Sequence, residues 1–109
     1  MKIENIPFGT TDWSKVEPVE HSGETGKAIW RTCQFGEIRV RIVEYTPGYR
    51  ADHWCSKGHI LFLLEGELST ELKDGRIVKM KAGQSYQVAD NTEAHLSTTS
   101  TGAKLFIVD

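Results

Sequence analysis

The sequence predicts an all-β fold, either a sandwich or a barrel, on two observations. Glycine and other turn residues recur at short intervals, for example at Gly36, Pro47-Gly48, Gly66 and Ala82-Gly83. The segments between these turns are short and rich in Val, Ile, Thr, Tyr and Phe. Short strands separated by frequent turn signals are typical of sandwiches and barrels.

Reading the segments in order gives nine predicted strands. They are 28–35, 38–45, 51–55, 59–64, 67–72, 76–80, 85–88, 95–98 and 104–108. In the second strand, apolar Ile38, Val40 and Ile42 alternate with Arg39 and Arg41, which is the pattern of a half-buried strand. We expect the arginines to lie on a solvated face; if that face turns inward, they would clamp a carboxylate or phosphate.

The connections and the N-terminal region complete the predicted domain. Asp74-Gly75 predicts a hairpin with a type I′ turn, because these residues tolerate positive φ angles. Thr11 to Val19 indicates no more than a helical turn, since Pro18 limits its extension. A chain of 109 residues makes one domain, with an N-terminal arm and loop over 1–25 and the barrel over 26–109.

Composition and charge exclude several classes of partner. Hydrophobic residues make up 39% and charged residues 26%, an ordinary globular mixture. The formal net charge is −2 and no run of basic residues exceeds two, so neither nucleic acid nor an acidic membrane surface is an expected partner. The sequence shows neither an apolar stretch of spanning length nor a secretory signal. We expect a cytoplasmic protein without a Cys33–Cys55 disulfide.

The residues with chemical potential lie in two segments, 48–66 and 83–95, which hold three of the four histidines and one of the two cysteines. His53 and Cys55 are two residues apart, so in a strand they share a face. His59 lies beside them if it is the first inward-facing residue of the next strand. Imidazole nitrogen and thiolate sulfur are good ligands for divalent transition metals. The predicted metal ligands are His53, Cys55, His59 and His95.

The two segments resemble, in order, the two sequence motifs of the cupin superfamily. His53, Cys55 and His59 take the places of two histidines and an acidic residue, and Gly66 takes that of the closing glycine. Gly83 and His95 match the ends of the second motif. Its Pro and Gly places hold other residues, Ala89 and Asn91, and one extra residue precedes the histidine.

The run Asp52-His53-Trp54-Cys55 further resembles a small group called DHCW-motif cupin-fold proteins. The resemblance implies a single cupin-type double-stranded β-helix, a jelly-roll barrel. It also implies a homodimer, in which the segment Ile3 to Phe8 would add to a neighbour's sheet. The fold alone implies no particular reaction, because it supports many activities.

Three nitrogens and one sulfur form a softer ligand set than the usual cupin site of three histidines and a glutamate. This set favours zinc, with iron, nickel, copper and cobalt as competitors. A closed tetrahedral zinc would suit a structural role, and an open site would suit catalysis. Without Cys55, three histidines leave an open site. Cys55 is then a small buried apolar residue or a reactive thiolate. A further alternative is a metal-free barrel whose histidines bond to each other.

Four residues are candidates for the surroundings of the site. Asp52 either hydrogen-bonds a ligand histidine or lies on the outer surface. Tyr86 shares a face with Val88 and is a candidate pocket residue, while Arg39 and Arg41 would bind an anion in the inward-facing alternative.

We expect a metal-binding small cupin that acts on, or binds, a small polar organic molecule inside the barrel. The alternatives are a non-catalytic module with a structural metal, and a metal-free ligand-binding barrel. An enzyme of this kind would be metal-dependent, like a dioxygenase or an isomerase, but the sequence identifies neither a general base nor any other catalytic residue.

Overall fold

The computed structural model describes residues 2–109, which form one turn of 3₁₀ helix, Trp13–Lys15, and eight strands. The strands are β1 (Val19–Ser22), β2 (Lys27–Phe35), β3 (Ile38–Tyr45), β4 (His59–Leu72), β5 (Ile77–Lys81), β6 (Ser85–Val88), β7 (His95–Thr98) and β8 (Ala103–Val108). The all-β prediction is confirmed. Between Lys2 and Asp109, no helix has the length and apolar character needed to cross a bilayer.

The strands form two antiparallel sheets that share β4. The larger sheet has the order β1-β2-β3-β8-β4-β6 and uses the first half of β4, and the smaller sheet has the order β5-β4-β7 and uses the second half. The register of β4 shifts between Leu63 and Glu65. Just beyond, Gly66 has a φ of 83°, and a Cβ there would collide with the carbonyl oxygen of Gly102. The segments predicted as two strands, 59–64 and 67–72, are therefore one strand bent at this glycine.

The pairing of β3, β8 and β4 stacks their inward side chains in layers. Val43, Leu105 and Leu63 lie opposite one another and are each no more than 1% exposed. We call these three residues the apolar layer. Because inward residues recur at every second position of a strand, the same three strands supply the layers that follow it.

The next layers become polar toward one end of the sandwich. Two residues along, Arg41 lies opposite Ile107, which pairs with Leu61. Beyond them, Arg39 exchanges backbone hydrogen bonds with Asp109, and His59 begins β4 beside it. The interior thus changes from apolar to charged along strands that continue without interruption.

The expectation that Arg39 and Arg41 lie on a solvated face is wrong. Arg41 is only 6% exposed, and its face of β3 is the one that carries Val43 into the core. The alternating Ile42 lies on the outer face, half-buried beside Phe106, against which the Trp13 ring packs at 6.4 Å. The outer face of β3 is covered by other parts of the chain and therefore also needs apolar residues. The alternation of apolar and charged residues thus predicts a strand but does not show which of its faces points inward.

Other local predictions have mixed outcomes. The predicted strands 38–45, 85–88 and 95–98 are confirmed with the same bounds, whereas β1 was not predicted. The segment 51–55 is not a strand, and its neighbourhood makes only isolated bridges at Arg50 and Cys55. In the β4–β5 hairpin only Gly75, with a φ of 98°, is left-handed, so the turn is not type I′. Instead the Gly75 N–H donates to the Leu72 carbonyl, as in a three-residue hairpin loop.

The predicted homodimer stays a prediction. The segment expected to mediate it, Ile3 to Phe8, lies outside the strands of the described chain, and the side chains at its two ends are 68% and 98% exposed. Cys33 and Cys55 are free thiols.

Candidate ligand pocket and metal centre

A pocket of about 300 Å³ opens at the polar end of the sandwich. Its lining contains all four side chains that the sequence predicts as metal ligands: His53, Cys55, His59 and His95. Tyr86, Arg39 and Arg41 line it as well, as does the aromatic ring of Trp30. Asp52 is not part of its wall.

Cys55 and His95 meet because a β-bridge holds their backbones together. The Cys55 N–H donates to the His95 carbonyl at 2.8 Å, and the His95 N–H donates to the Cys55 carbonyl at 3.0 Å. Residues paired in this way direct their side chains to the same face. The interaction with His95 lowers the pKa of the Cys55 thiol, and the thiol in turn raises the pKa of His95.

His95 is held in a definite tautomer. Its Nδ1 lies 2.9 Å from the carbonyl oxygen of Glu93, and a carbonyl oxygen can only accept, so Nδ1 carries the hydrogen. The neutral ring therefore presents the Nε2 lone pair. Nε2 is buried and, within residues 2–109, has no partner at hydrogen-bond geometry, so the contact with the Cys55 thiol is looser than a hydrogen bond. Metal-binding histidines are commonly held in this way, with the other ring nitrogen on a backbone carbonyl.

His59 packs edge-on against His95, with ring centroids 4.8 Å apart and ring planes at 90°. Its Nε2 lies 2.8 Å from the Tyr86 hydroxyl, and its buried Nδ1 has no partner in the described chain. Burial, together with the neighbouring charges of His95 and Arg41, lowers the pKa of His59 to about 4. The ring is therefore neutral near pH 7, which is the form that binds metals.

His53 differs from the other three predicted ligands. Its side chain is 77% exposed, and its Nδ1 lies 2.6 Å from the carboxylate of Asp52. This hydrogen bond lowers the pKa of Asp52. Because the segment 51–54 is not a strand, nothing fixes the ring toward the interior as the predicted strand geometry would.

The residues fit a metal in part. Between Lys2 and Asp109, no three His, Cys, Asp or Glu side chains stand in an arrangement that could hold a metal ion without movement. The donor atoms are nonetheless suitable, since His59 and His95 each carry a buried nitrogen without a partner and the Cys55 thiol is acidified beside them. A four-ligand site requires the exposed His53 ring to rotate away from Asp52.

Asp109 organises the two arginines, and the sequence did not identify it as a site residue. Its carboxylate accepts from Arg39 Nε at 2.9 Å and Nη2 at 2.8 Å, and from Arg41 Nη2 at 3.1 Å. Burial raises the pKa of Asp109, but the hydrogen bonds and charges of both arginines outweigh it, and the pKa is lowered. The strict alternation of Leu105 and Ile107 before it was the signal that could have placed Asp109 on the inward face.

Tyr86 and His95 also border a second, smaller cavity of about 180 Å³. Thr70 and Leu72 of β4 line its other walls. Tyr86 is partly buried, and this burial raises the pKa of its hydroxyl. It therefore stays protonated at neutral pH, and its oxygen links the imidazole of His59 to this second cavity.

Comparison with known proteins identifies the fold. No protein-family model matches the chain, and no curated protein matches it significantly. A predicted oxalate decarboxylase from Thermotoga maritima has 18% identity and a TM-score of 0.77, covering 92% of this chain and 96% of that one. An RmlC-like cupin from Shewanella frigidimarina has 19% identity and a TM-score of 0.71, covering 96% and 88%. Ectoine synthase from P. lautus has 13% identity and a TM-score of 0.75, covering 93% and 76%. The chain has the cupin jelly-roll fold.

Proposed function

We propose that the protein binds a small polar organic molecule in the 300 Å³ pocket, beside one divalent transition metal held by the predicted ligands. The observation that carries this proposal is the pair of buried nitrogens, His59 Nδ1 and His95 Nε2, that lack partners among residues 2–109. A buried polar atom without a partner is costly, on the order of 1–3 kcal/mol. Such atoms persist where a ligand or an ion satisfies them.

His59, His95 and Cys55 would hold the metal, and His53 would complete the set after rotating inward. Zinc is favoured by the sulfur and nitrogen donors, with iron, nickel, copper and cobalt as competitors. When bound, the metal supplies a Lewis acid that polarises a coordinated oxygen. The carbonyl of Glu93 fixes the His95 tautomer, and the Tyr86 hydroxyl holds the His59 ring. These contacts orient the nitrogens before any metal arrives.

The pocket next to the histidines favours an open site over a closed structural one. A closed site would leave no role for a cavity that also contains aromatic and cationic side chains. Ectoine synthase and a predicted oxalate decarboxylase share the fold, which agrees with a small-molecule ligand for this chain.

A second candidate is a metal-free ligand-binding barrel. It is favoured by the outward position of His53, whose hydrogen bond to Asp52 competes with inward rotation. In that case His59 and His95 would bind the organic ligand directly through their free nitrogens.

The two candidates are separated by metal analysis of the purified protein and of variants. We expect about one transition-metal ion per chain, and we expect His59→Ala and His95→Ala each to lose most of it and to lower the melting temperature, because a ligand of the native state stabilises that state. His21→Ala is the matched control for metal content, since His21 is exposed on β1 and is not part of the pocket lining. Its ring stacks on Trp30 at 4.1 Å, so the melting temperature of this variant is not part of the comparison. Equal loss from His21→Ala, or no metal in any sample loaded with zinc or iron, would rule out the metal centre.

A further inference from the structure

Arg41 is a buried cation with hydrogen-bonding capacity to spare. It is 6% exposed, and its guanidinium lies 4.4 Å from the centre of the Trp30 ring. Stacking on an aromatic face leaves the N–H edge of a guanidinium available to acceptors. Nη2 donates to Asp109, whereas Nε is buried and has no partner in the part of the chain that the structure describes.

Asp109 leaves the pocket side of this arginine free. One carboxylate serves two guanidinium groups, and it is committed mainly to Arg39, which it binds through both oxygens. Asp109 lines a neighbouring open groove of about 650 Å³ and not the 300 Å³ pocket. Its side chain is only 1% exposed and is absent from the pocket wall, so the carboxylate lies behind the arginine side chains.

The pocket itself has a positive lining. Its charged side chains are Arg39, Arg41 and Lys57, and among the described residues no carboxylate lines it. Asp109 compensates one of the two arginine charges, so an excess of positive charge faces the cavity. Burial and the charge of Arg39 lower the pKa of Arg41, which agrees with a cation that is incompletely compensated.

We infer that the ligand of this pocket is a small organic carboxylate, bound through its carboxylate group by the free edge of Arg41. The inference rests on the proposed function, of which it specifies the ligand class. A planar carboxylate matches the planar guanidinium fork, as Asp109 already does on Arg39. The remainder of the molecule then extends from Arg41 toward His59 and His95, which line the same cavity.

The test compares carboxylates with their uncharged amides. Acetate, malonate and benzoate, and the matched amides acetamide, malonamide and benzamide, are titrated at constant ionic strength into metal-loaded and chelator-treated protein. Binding is followed by calorimetry and by the NMR signal of the Arg41 Nε–H group. We expect at least one carboxylate to bind about tenfold more tightly than its amide and to shift that signal in both protein forms.

Two variants and a control locate the binding group. Arg41→Gln should weaken carboxylate binding about tenfold or more. Arg41→Lys keeps the positive charge but loses the planar pair of N–H donors, so it should weaken carboxylate binding as well. This variant replaces Arg41→Gln in the test if the glutamine variant does not fold. Arg50→Gln is the control, because Arg50 pairs with Glu24 and Glu71 away from the pocket.

The possible results test the carboxylate ligand class and the metal centre separately. Carboxylate binding that depends on Arg41 in a protein that takes up no metal supports the ligand class and rejects the metal. Three results would overturn the ligand class: amides that bind as tightly as carboxylates, carboxylate binding confined to metal-loaded protein and unchanged by Arg41→Gln, or inorganic phosphate binding more tightly than every carboxylate.

Discussion

Two regions of the interior of this sandwich are built from the same three strands. In the apolar layer, Val43, Leu63 and Leu105 are almost completely removed from solvent and contact one another across the larger sheet. At the other end, the same strands bring together Arg39, His59 and Asp109. The first region stabilises the fold by burying apolar surface, and the second region opposes folding through partly compensated charges and polar groups.

The polar end is also where unsatisfied hydrogen-bonding groups collect. Within residues 2–109, four buried side-chain atoms lack a partner: Arg41 Nε, His59 Nδ1, Thr70 Oγ1 and His95 Nε2. All four residues line the pocket or the smaller cavity behind it. Most buried polar groups in proteins are paired. Their concentration at one end of a core that is otherwise well packed indicates a binding site rather than a defect of packing.

The largest expected effect lies in the apolar layer. Leu63→Ala should lower the free energy of unfolding by about 3 kcal/mol, because it removes a completely buried side chain and leaves a cavity. Leu64→Ala is the control on the same strand, and its side chain is 38% exposed, so the loss should stay below about 1 kcal/mol. Urea denaturation measures both. Similar losses in the two variants would contradict the assigned inward face of β4.

An intermediate effect is expected from the pH dependence at the polar end. The pKa of His59 is about 4 in the folded protein and about 6.5 in an unfolded chain. Between these values the unfolded state binds more protons, so in metal-free protein stability falls as the pH is lowered from about 6.5 to about 4. The loss is on the order of 2 kcal/mol, reduced from the full linkage value because the ring is partly exposed.

This dependence is measured as the difference between the wild type and His59→Gln. In the glutamine variant, the free energy of unfolding should no longer show the decrease that His59 causes between pH 6.5 and pH 4. His21→Gln should still show this decrease. Taking the difference also reduces the opposite contribution of His95, whose pKa is raised by Cys55 and whose ring packs against His59. A wild-type curve parallel to that of His59→Gln would show that His59 titrates as in the unfolded chain.

The smallest effect has the opposite sign. Thr70 is 4% exposed, and its Oγ1 lies near the Tyr86 hydroxyl without reaching hydrogen-bond geometry. Thr70→Val should therefore stabilise the protein by about 0.5–1 kcal/mol. Thr99, equally buried, accepts the Gly102 N–H at 3.1 Å, and Thr99→Val should destabilise by about 1 kcal/mol. Thermal denaturation of both variants tests the pair, and destabilisation by Thr70→Val would mean that its hydroxyl is satisfied.

Much of the fold follows from local patterns in the sequence. Strand β3 was predicted with correct bounds because alternation and β-branched residues act within the strand itself. The edge strand β1 was missed, since its pairing with β2 depends on contacts made after the chain has turned. The bend of β4 was read as a turn, because Gly66 favours both and only the pairing with β8 distinguishes them.

Four of the residues that line the pocket belong to the set that the sequence predicts as metal ligands, and their role as ligands stays a prediction. Their geometry could not be predicted. His59 and Cys55 line one pocket because a strand start and a β-bridge fix them. The segment carrying His53 was expected to be a strand, and without one the ring turns to Asp52. Arg41 was assigned to the wrong face because a buried arginine depends on a distant partner, Asp109, that no local pattern of β3 indicates.

The bend at Gly66 has a consequence for the protein's tolerance of change. A single strand runs from the pocket, where it starts with His59, through this bend to Leu68 in the core of the smaller sheet. Any larger residue at position 66 would displace the backbone of β4 away from Gly102. Position 66 does not line the pocket, yet it constrains the course of the strand that begins with His59.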